Sequence, residues 1–342
     1  MAYTTINKST DYFNTKLYTG NGGTQSISSV GFQPDWTWLK QRNGTSNHRC
    51  YDAVRGATKQ IYPNLTNAEN TDTNGLTSFD SDGFSLGNES GHNGSGQTYV
   101  AWNWLANGAG SSNTDGSITS TVSVNTTSGF SIVTYSGTGS AGTVGHGLGS
   151  VPKMMIIKNR DNTQGWATYH HTQGAGNYLD LSSTNTVQAG SSIFNNTTPT
   201  SSVFSVATSG WTNDSGNNII AYCFAEKKGF SKFGSYTGNG NADGTFVYTG
   251  FKPAFIMSKM TSSADNWVIQ DNQRLTYNST GYTLNPNANN VENTNYPLDI
   301  LSNGFKQRTA NATTNQSGQT FIYMAFAEAP LVGTNGVTAK AR

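Results

Sequence analysis

The residues able to do chemistry are few, and most stand alone. Asp80-Ser81-Asp82-Gly83 opens like a calcium loop. Calcium takes roughly six to eight oxygens, and the usual loop closes on a bidentate Glu. Glu89 is near, but at the wrong offset for that loop. His170-His171 is the only histidine pair. Zinc asks for three or four ligands at defined spacing, and no Cys or further His accompanies the pair, so a surface turn or strand end is expected there. Glycan hydrolysis uses two carboxylates roughly 5–10 Å apart. No pair stands out among the 19 acids. The run Gly137-Thr138-Gly139 lacks the strand–helix context and the Lys of a phosphate loop. The sequence therefore points to no catalytic residue, no metal and no cofactor, and to a protein that is not an enzyme.

The elements that would position any site repeat three times. Gly31-Phe32-Gln33-Pro34, Gly149-Ser150-Val151-Pro152 and Gly250-Phe251-Lys252-Pro253 each open the same apolar segment, which runs to Lys40, Lys158 and Lys259. The prolines lie 118 (152 − 34) and 101 (253 − 152) residues apart, and the lysines keep those spacings. Trp104, Phe224 and Phe326 close matching strands 120 and 102 residues apart (224 − 104, 326 − 224). The copies serve as an internal alignment. A residue type kept in all three serves the fold, and a residue present once is free for something else.

Each copy reads as a series of short strands. Tyr18-Thr19-Gly20, Tyr135-Ser136-Gly137 and Tyr236-Thr237-Gly238 end the first in a Gly-rich turn. The proline suits the mouth of the next, where its missing N–H costs no ladder bond. His48, Trp166 and Trp267 open another strand, followed by a variable, Asn-rich stretch. Asp82-Gly83-Phe84, Ser209-Gly210-Trp211 and Asn303-Gly304-Phe305 mark a hairpin. The last strand alternates: Val100, Trp102, Trp104; Ile220, Tyr222, Phe224; Ile322, Met324, Phe326. Period-two alternation of large apolar groups marks a strand facing a core.

The expected fold is all-β, with three tandem β-sandwich repeats of jelly-roll type over 15–105, 130–226 and 229–330. Residues 1–14 form an N-terminal arm, 106–129 a Gly/Ser/Thr linker and 331–342 an exposed tail. The linker's later part, Thr119 to Val124, could add an edge strand. The first repeat is expected to be hinged, and the second and third to stack.

Composition narrows the function classes. Charged residues make up 11% of the chain, against a usual share of about 25%. The formal net charge of +1 gives no field to attract nucleic acid or an acidic membrane. No apolar run approaches the ~18 residues of a membrane span, and residues 1–14 lack a secretory signal's apolar core. Asn-x-Ser/Thr triplets such as Asn64-Leu65-Thr66 and Asn311-Ala312-Thr313 follow from composition alone. Cys223 stands opposite Asn103 and Ala325, and Cys50 opposite Thr168 and Ile269, so both read as buried free thiols.

Sugar sites often stack an aromatic face on a pyranose. All seven tryptophans, Trp36, Trp38, Trp102, Trp104, Trp166, Trp211 and Trp267, fall in repeat landmarks and read as core. An exposed platform would come from tyrosines in variable loops: Tyr62, Tyr178, Tyr277, Tyr282 and Tyr296.

The landmarks resemble a repeat family in virion structural proteins of tailed bacteriophages, especially marine ones. The matching segments include Tyr51-Asp52-Ala53-Val54-Arg55-Gly56, Phe79-Asp80-Ser81-Asp82-Gly83-Phe84 and Gly129-Phe130-Ser131-Ile132-Val133-Thr134-Tyr135. His146-Gly147-Leu148-Gly149, Ala221-Tyr222-Cys223-Phe224-Ala225-Glu226 and Leu301-Ser302-Asn303-Gly304-Phe305-Lys306 extend the match over nearly the whole chain. The resemblance implies a place on the virion, at the tail or capsid surface, and a lectin-like sandwich fold for the repeats, and supplies no catalytic motif. No heptad coiled coil, collagen run or long β-helical repeat is present, which argues against a long fibre and leaves room for a short spike or a capsid-surface protein. The expected function is a tail-fibre- or spike-like adhesin contacting host-surface glycans. The alternatives are a capsid decoration or tail structural component without a receptor, and a glycan depolymerase. Other virion proteins are the expected partners, without nucleic acid or membrane insertion. A homo-oligomer is expected, a trimer first, in which neighbouring chains order residues 1–14 and 106–129.

Overall fold

A computed structural model describes residues 4–274, 277–279, 281–333, 336 and 338–340. Three large antiparallel sheets dominate it, and each contains the same order of four strands. In the first repeat the order is Phe13–Thr19, Thr98–Trp104, Trp36–Gln41, Arg49–Asp52. The second uses Phe130–Ser136, Asn218–Phe224, Met154–Asn159, Trp166–His170, and the third uses Ser231–Thr237, Thr320–Pro330, Phe251–Met260, Trp267–Asp271. The register repeats as well. Trp36 pairs with Trp104, Met154 with Phe224, and Phe255 with Phe326. In the third copy the strand starts before its proline, and register shifts flank Pro253.

A smaller sheet covers one face of each large one, in hairpins such as Leu76–Asp80 with Gly83–Leu86. Gly83 sits at φ +154°, and a Cβ there would strike the Ile27 carbonyl, so the turn requires glycine. Inside the first sandwich lie Ile27, Leu39, Tyr51, Leu76, Phe84, Leu86 and Ala101.

The larger side chains point the other way. Trp36, Trp38, Trp102 and Trp104 share one buried cluster with Phe130, Met154, Tyr222 and Phe224 of the second repeat, and with Phe233, Phe255, Met324 and Phe326 of the third. The three sheets thus press their aromatic faces together. Trp36 stacks on Tyr222 with ring centroids 4.3 Å apart, and Phe13 stacks on Phe326 at 5.2 Å. Six tryptophans are fully buried, and Trp211 is half-buried against Tyr178. Both cysteines are buried and free.

Polar bonds tie the repeats in one cyclic sense. Asp52, paired with Arg55, accepts the Tyr222 hydroxyl at 2.8 Å. Asp271, paired with Arg274, accepts Trp102 Nε1–H at 3.0 Å. At the third junction the matching residue is His170, whose Nε2–H donates to the Tyr323 carbonyl at 3.3 Å. The repeated lysines act alike. Lys158 Nζ donates to Thr66 O of the first repeat and to Asn162 O and Gln164 O of its own. Lys259 donates to Thr184 O of the second repeat and to Met260 O, and Lys40 to Gln41 O and Gly44 O. Burial draws each of the three ammonium groups down to about 8.

Three expectations need correction. The first repeat is not hinged, because its tryptophans and Asp52 are locked into its neighbours. The segment 106–129 is more than a linker: Ser111–Asn113 and Ser120–Asn125 extend the second repeat's large sheet, the latter being the added strand expected there. The described part of the arm and this segment pack into their own chain, where contacts to neighbouring chains were expected. Ile6 is in the central core, the first strand begins at Phe13, and Val122 packs inside the second sandwich. Of the tail, Thr338 and Lys340 are exposed, and Arg342 lies outside the described residues.

Candidate functional site

A cleft that includes one nominated tyrosine lies where the first and third repeats meet. It holds about 310 Å3 and is lined by Arg42, Asn43, Thr98, Tyr282, Val291 and Glu292. Arg42 follows the strand Trp36–Gln41, and Thr98 begins the strand beside it. The third repeat's variable stretch crosses over to them. Glu292 N–H donates to the Arg42 carbonyl at 2.8 Å, and Arg42 Nε reaches both Glu292 carboxylate oxygens at 2.7 and 3.2 Å. The guanidinium lies 5.8 Å from the centre of the Tyr282 ring. Asn43 Oδ1 accepts from Thr98 N–H at 3.1 Å. The cleft therefore offers a ring, an amide, a hydroxyl and a neutralised ion pair, with no second carboxylate in its lining to act as an acid–base partner.

The same device recurs one junction on. Glu69 from the first repeat's variable stretch donates its N–H to Arg160 O at 2.7 Å, and Arg160 grips its carboxylate with Nε and Nη2, both at 2.9 Å. Burial works to raise the Glu69 carboxyl, but the hydrogen bonds and charges of Arg160 and Arg55 outweigh it and hold the group below the usual range. At the third junction Val187 N–H still donates to Thr261 O, but neither residue carries charge. A second trough of about 250 Å3 opens beside Arg160, lined largely by Ser and Thr.

The nominated tyrosines do not converge. Tyr62 is half-buried near the Arg49 guanidinium, and its carbonyl accepts from Trp166 Nε1–H. Tyr178 packs on Trp211 inside the second repeat. Tyr296 is 9% exposed, and its carbonyl accepts from the Gln270 amide, so it is packing and not a platform. Tyr277 is 77% exposed and does not line the cleft. Of the five, Tyr282 alone lines the Arg42–Glu292 cleft. Sequence reasoning missed Phe246 and Tyr248, 44% and 52% exposed. The internal alignment held the signal: their strand pairs Val247 with Phe305 as Ile27 pairs with Phe84 and Val144 with Phe204. The two aromatics thus stand where the other copies have Ser26 and Ser28, and Thr143 and Gly145.

The other candidate groups have structural partners. Asp82 accepts from the Ser29 and Gly31 N–H groups, and Asp80 from the hydroxyls of Ser78 and Ser85. Glu89 caps the short helix Ser90–Asn93. His170 closes the strand Trp166–His170, at a strand end as expected, and is buried there; its Nδ1 accepts from Thr172, and burial together with the neighbouring His171 lowers its pKa to about 3, so it is neutral. His171 Nε2 donates to Phe233 O. Among the described residues, no three His, Cys, Asp or Glu side chains come together as metal ligands.

These features define a class: an all-β protein of three sandwiches fused through one aromatic core. Residues 8–330 match the family described as a domain of unknown function, DUF7483, and the chain belongs to that family. No curated protein and no solved structure shows a significant match.

Proposed function

We propose that this protein is a non-enzymatic surface component of a bacteriophage virion, a tail-fibre- or spike-like adhesin that contacts glycans of the host envelope. The resemblance of its repeat landmarks supports the virion assignment. The observation that carries the binding role is the Arg42–Tyr282–Glu292 cleft, which sets a ring beside hydrogen-bonding groups on a rigid scaffold. Amides and hydroxyls both donate and accept, as sugar hydroxyls do. Weak single sites suffice when many copies face one surface. The proposed partners are other virion proteins and copies of this chain, in a trimer.

A second reading, a decoration or tail component without a receptor, draws on the recurrence of the Arg–Glu clamp at Arg160–Glu69, where the clamp joins two repeats. Two measurements separate the readings. Labelled protein should adsorb to host cells and block virion adsorption, and Arg42→Ala with Tyr282→Ala should remove both effects while the melting transition is retained. Full adsorption by that double variant would sink the cleft's role. Tens to hundreds of copies on the head, with no adsorption, would favour decoration.

A further inference from the structure

A second cavity, of about 340 Å3, opens where the second and third repeats join. Glu226, Lys228, Ser231, Lys232, Tyr248 and Thr249 line it. Its size falls within the roughly 300–1,000 Å3 of small-ligand pockets. Tyr248 is the one large exposed ring in its wall. Phe246, two residues earlier on the same short strand, is exposed on the same face. The equivalent positions in the other repeats hold Ser, Thr or Gly, so the shared sandwich does not require a ring at either place.

The polar lining is held with unequal strength. Thr249 Oγ1 donates to Phe251 O, and Ser231 Oγ accepts from Lys227 N–H. The ion pair is looser. Lys232 and Glu226 are 3.4 Å apart, with about a third of each side chain exposed. Such a pair contributes little and can exchange partners. Two ammonium groups and one carboxylate line the cavity.

A protein strand is a poor occupant. The neighbouring edge strand, Ser231–Thr237, has its Phe233 N–H donated to Glu226 Oε2 and its Phe233 carbonyl bonded by His171, so strand addition is blocked there. An aromatic ring beside a loosely held ammonium group suits a compact ring that has an apolar face and an anionic substituent. We infer that this cavity binds an acidic saccharide, its sugar ring against Tyr248 and its carboxylate on Lys232. The inference rests on the adhesin reading for its ligand class and adds a site and a charge to it.

The test titrates the full chain with tetragalacturonate and with neutral cellotetraose, followed by calorimetry and saturation-transfer NMR. The acidic probe should bind at least about tenfold more tightly, a difference of about 1.4 kcal/mol. Half-molar salt, Lys232→Met and Tyr248→Ala should each weaken it, whereas Tyr282→Ala should not. Both variants change partly exposed side chains, and an unchanged melting transition shows that they fold. No binding at millimolar probe, equal affinity for the two probes, or full binding by Tyr248→Ala overturns the inference. Acidic-probe binding lost in Tyr282→Ala but kept in Tyr248→Ala rejects this site and leaves the adhesin reading standing. Probe binding at Tyr248 without adsorption to host cells does the reverse.

Discussion

Trp104→Ala tests whether the three repeats melt as one body. Trp104 is buried at the meeting point of all three sheets. Its ring centroid lies 4.4 Å from Trp36 and 4.9 Å from Phe13 in its own repeat, 6.5 Å from Phe130 in the second, and 5.7 Å from both Phe255 and Phe326 in the third. Emptying such a site costs about 3–5 kcal/mol. The unfolding entropy is about 2.1 cal/mol/K per residue, or about 0.7 kcal/mol/K for 342 residues. A loss of about 4 kcal/mol then lowers a single transition by about 6 °C. Were residues 15–105 an independent unit, the same loss would lower its own transition by about 20 °C and leave the others in place. Differential scanning calorimetry distinguishes these outcomes. A separate low-temperature peak in the variant would refute the shared-core argument.

Three further outcomes are expected. Lys40, Lys158 and Lys259 titrate near 8 in the folded chain and near 10.4 when unfolded. Between those values the unfolded chain holds protons that the native one has shed, so stability should rise with pH, by up to about 4 kcal/mol per unit if all three contribute. Above about pH 10 the buried tyrosines Tyr18, Tyr135 and Tyr222, held protonated by burial, should reverse the trend; urea melts showing flat or falling stability from pH 8 to 9.5 would contradict the assignment. Asp271→Ala, which leaves the buried Arg274 with only the Ile269 carbonyl and the more distant Glu292 carboxylate and frees Trp102 Nε1–H, should cost about 3–5 kcal/mol in a urea melt, and a loss below about 1 kcal/mol would mean that solvent or Glu292 takes over the pair. Chelation with EDTA should leave the melting temperature unchanged, and a drop of several degrees restored by calcium would revive the Asp80–Asp82 loop.

The sequence exposed the strand order's landmarks because they are local. The residues two places after Pro34, Pro152 and Pro253 pair with Trp104, Phe224 and Phe326, so one register recurs three times. Alternation revealed that Val100, Trp102 and Trp104 face a core, but not which core. The strand Trp36–Gln41 is buried on both faces, and nothing in its pattern says that the tryptophan face meets other repeats while Leu39 faces its own sandwich. A further landmark went unread. Asn93, Asn213 and Asn315 keep the 120 and 102 spacing (213 − 93, 315 − 213). Each Oδ1 accepts the N–H that follows the first strand's turn, at Asn21, Thr138 and Asn239. Among the nominated tyrosines, Tyr282 reached a cleft only because Glu292 carries the third repeat onto the first, a long-range contact that no local pattern encodes.

The cyclic junctions are alike in backbone and different in side chain: two carry Arg–Glu pairs, and the third carries Thr261 and Val187. In a ring of identical subunits, every substitution would appear three times, so a change useful on one flank would be imposed on all. Joining the copies in a single chain releases that constraint. Each seam can drift alone, and a liability such as the exposed Phe246 and Tyr248 arises once, on one side of a body that the other two copies keep rigid. Tethering also makes assembly independent of concentration, because each copy meets its neighbours at an effective concentration of order millimolar. The protein can thus be diluted without its shared core coming apart, and a lineage can alter one repeat while the other two hold the fold.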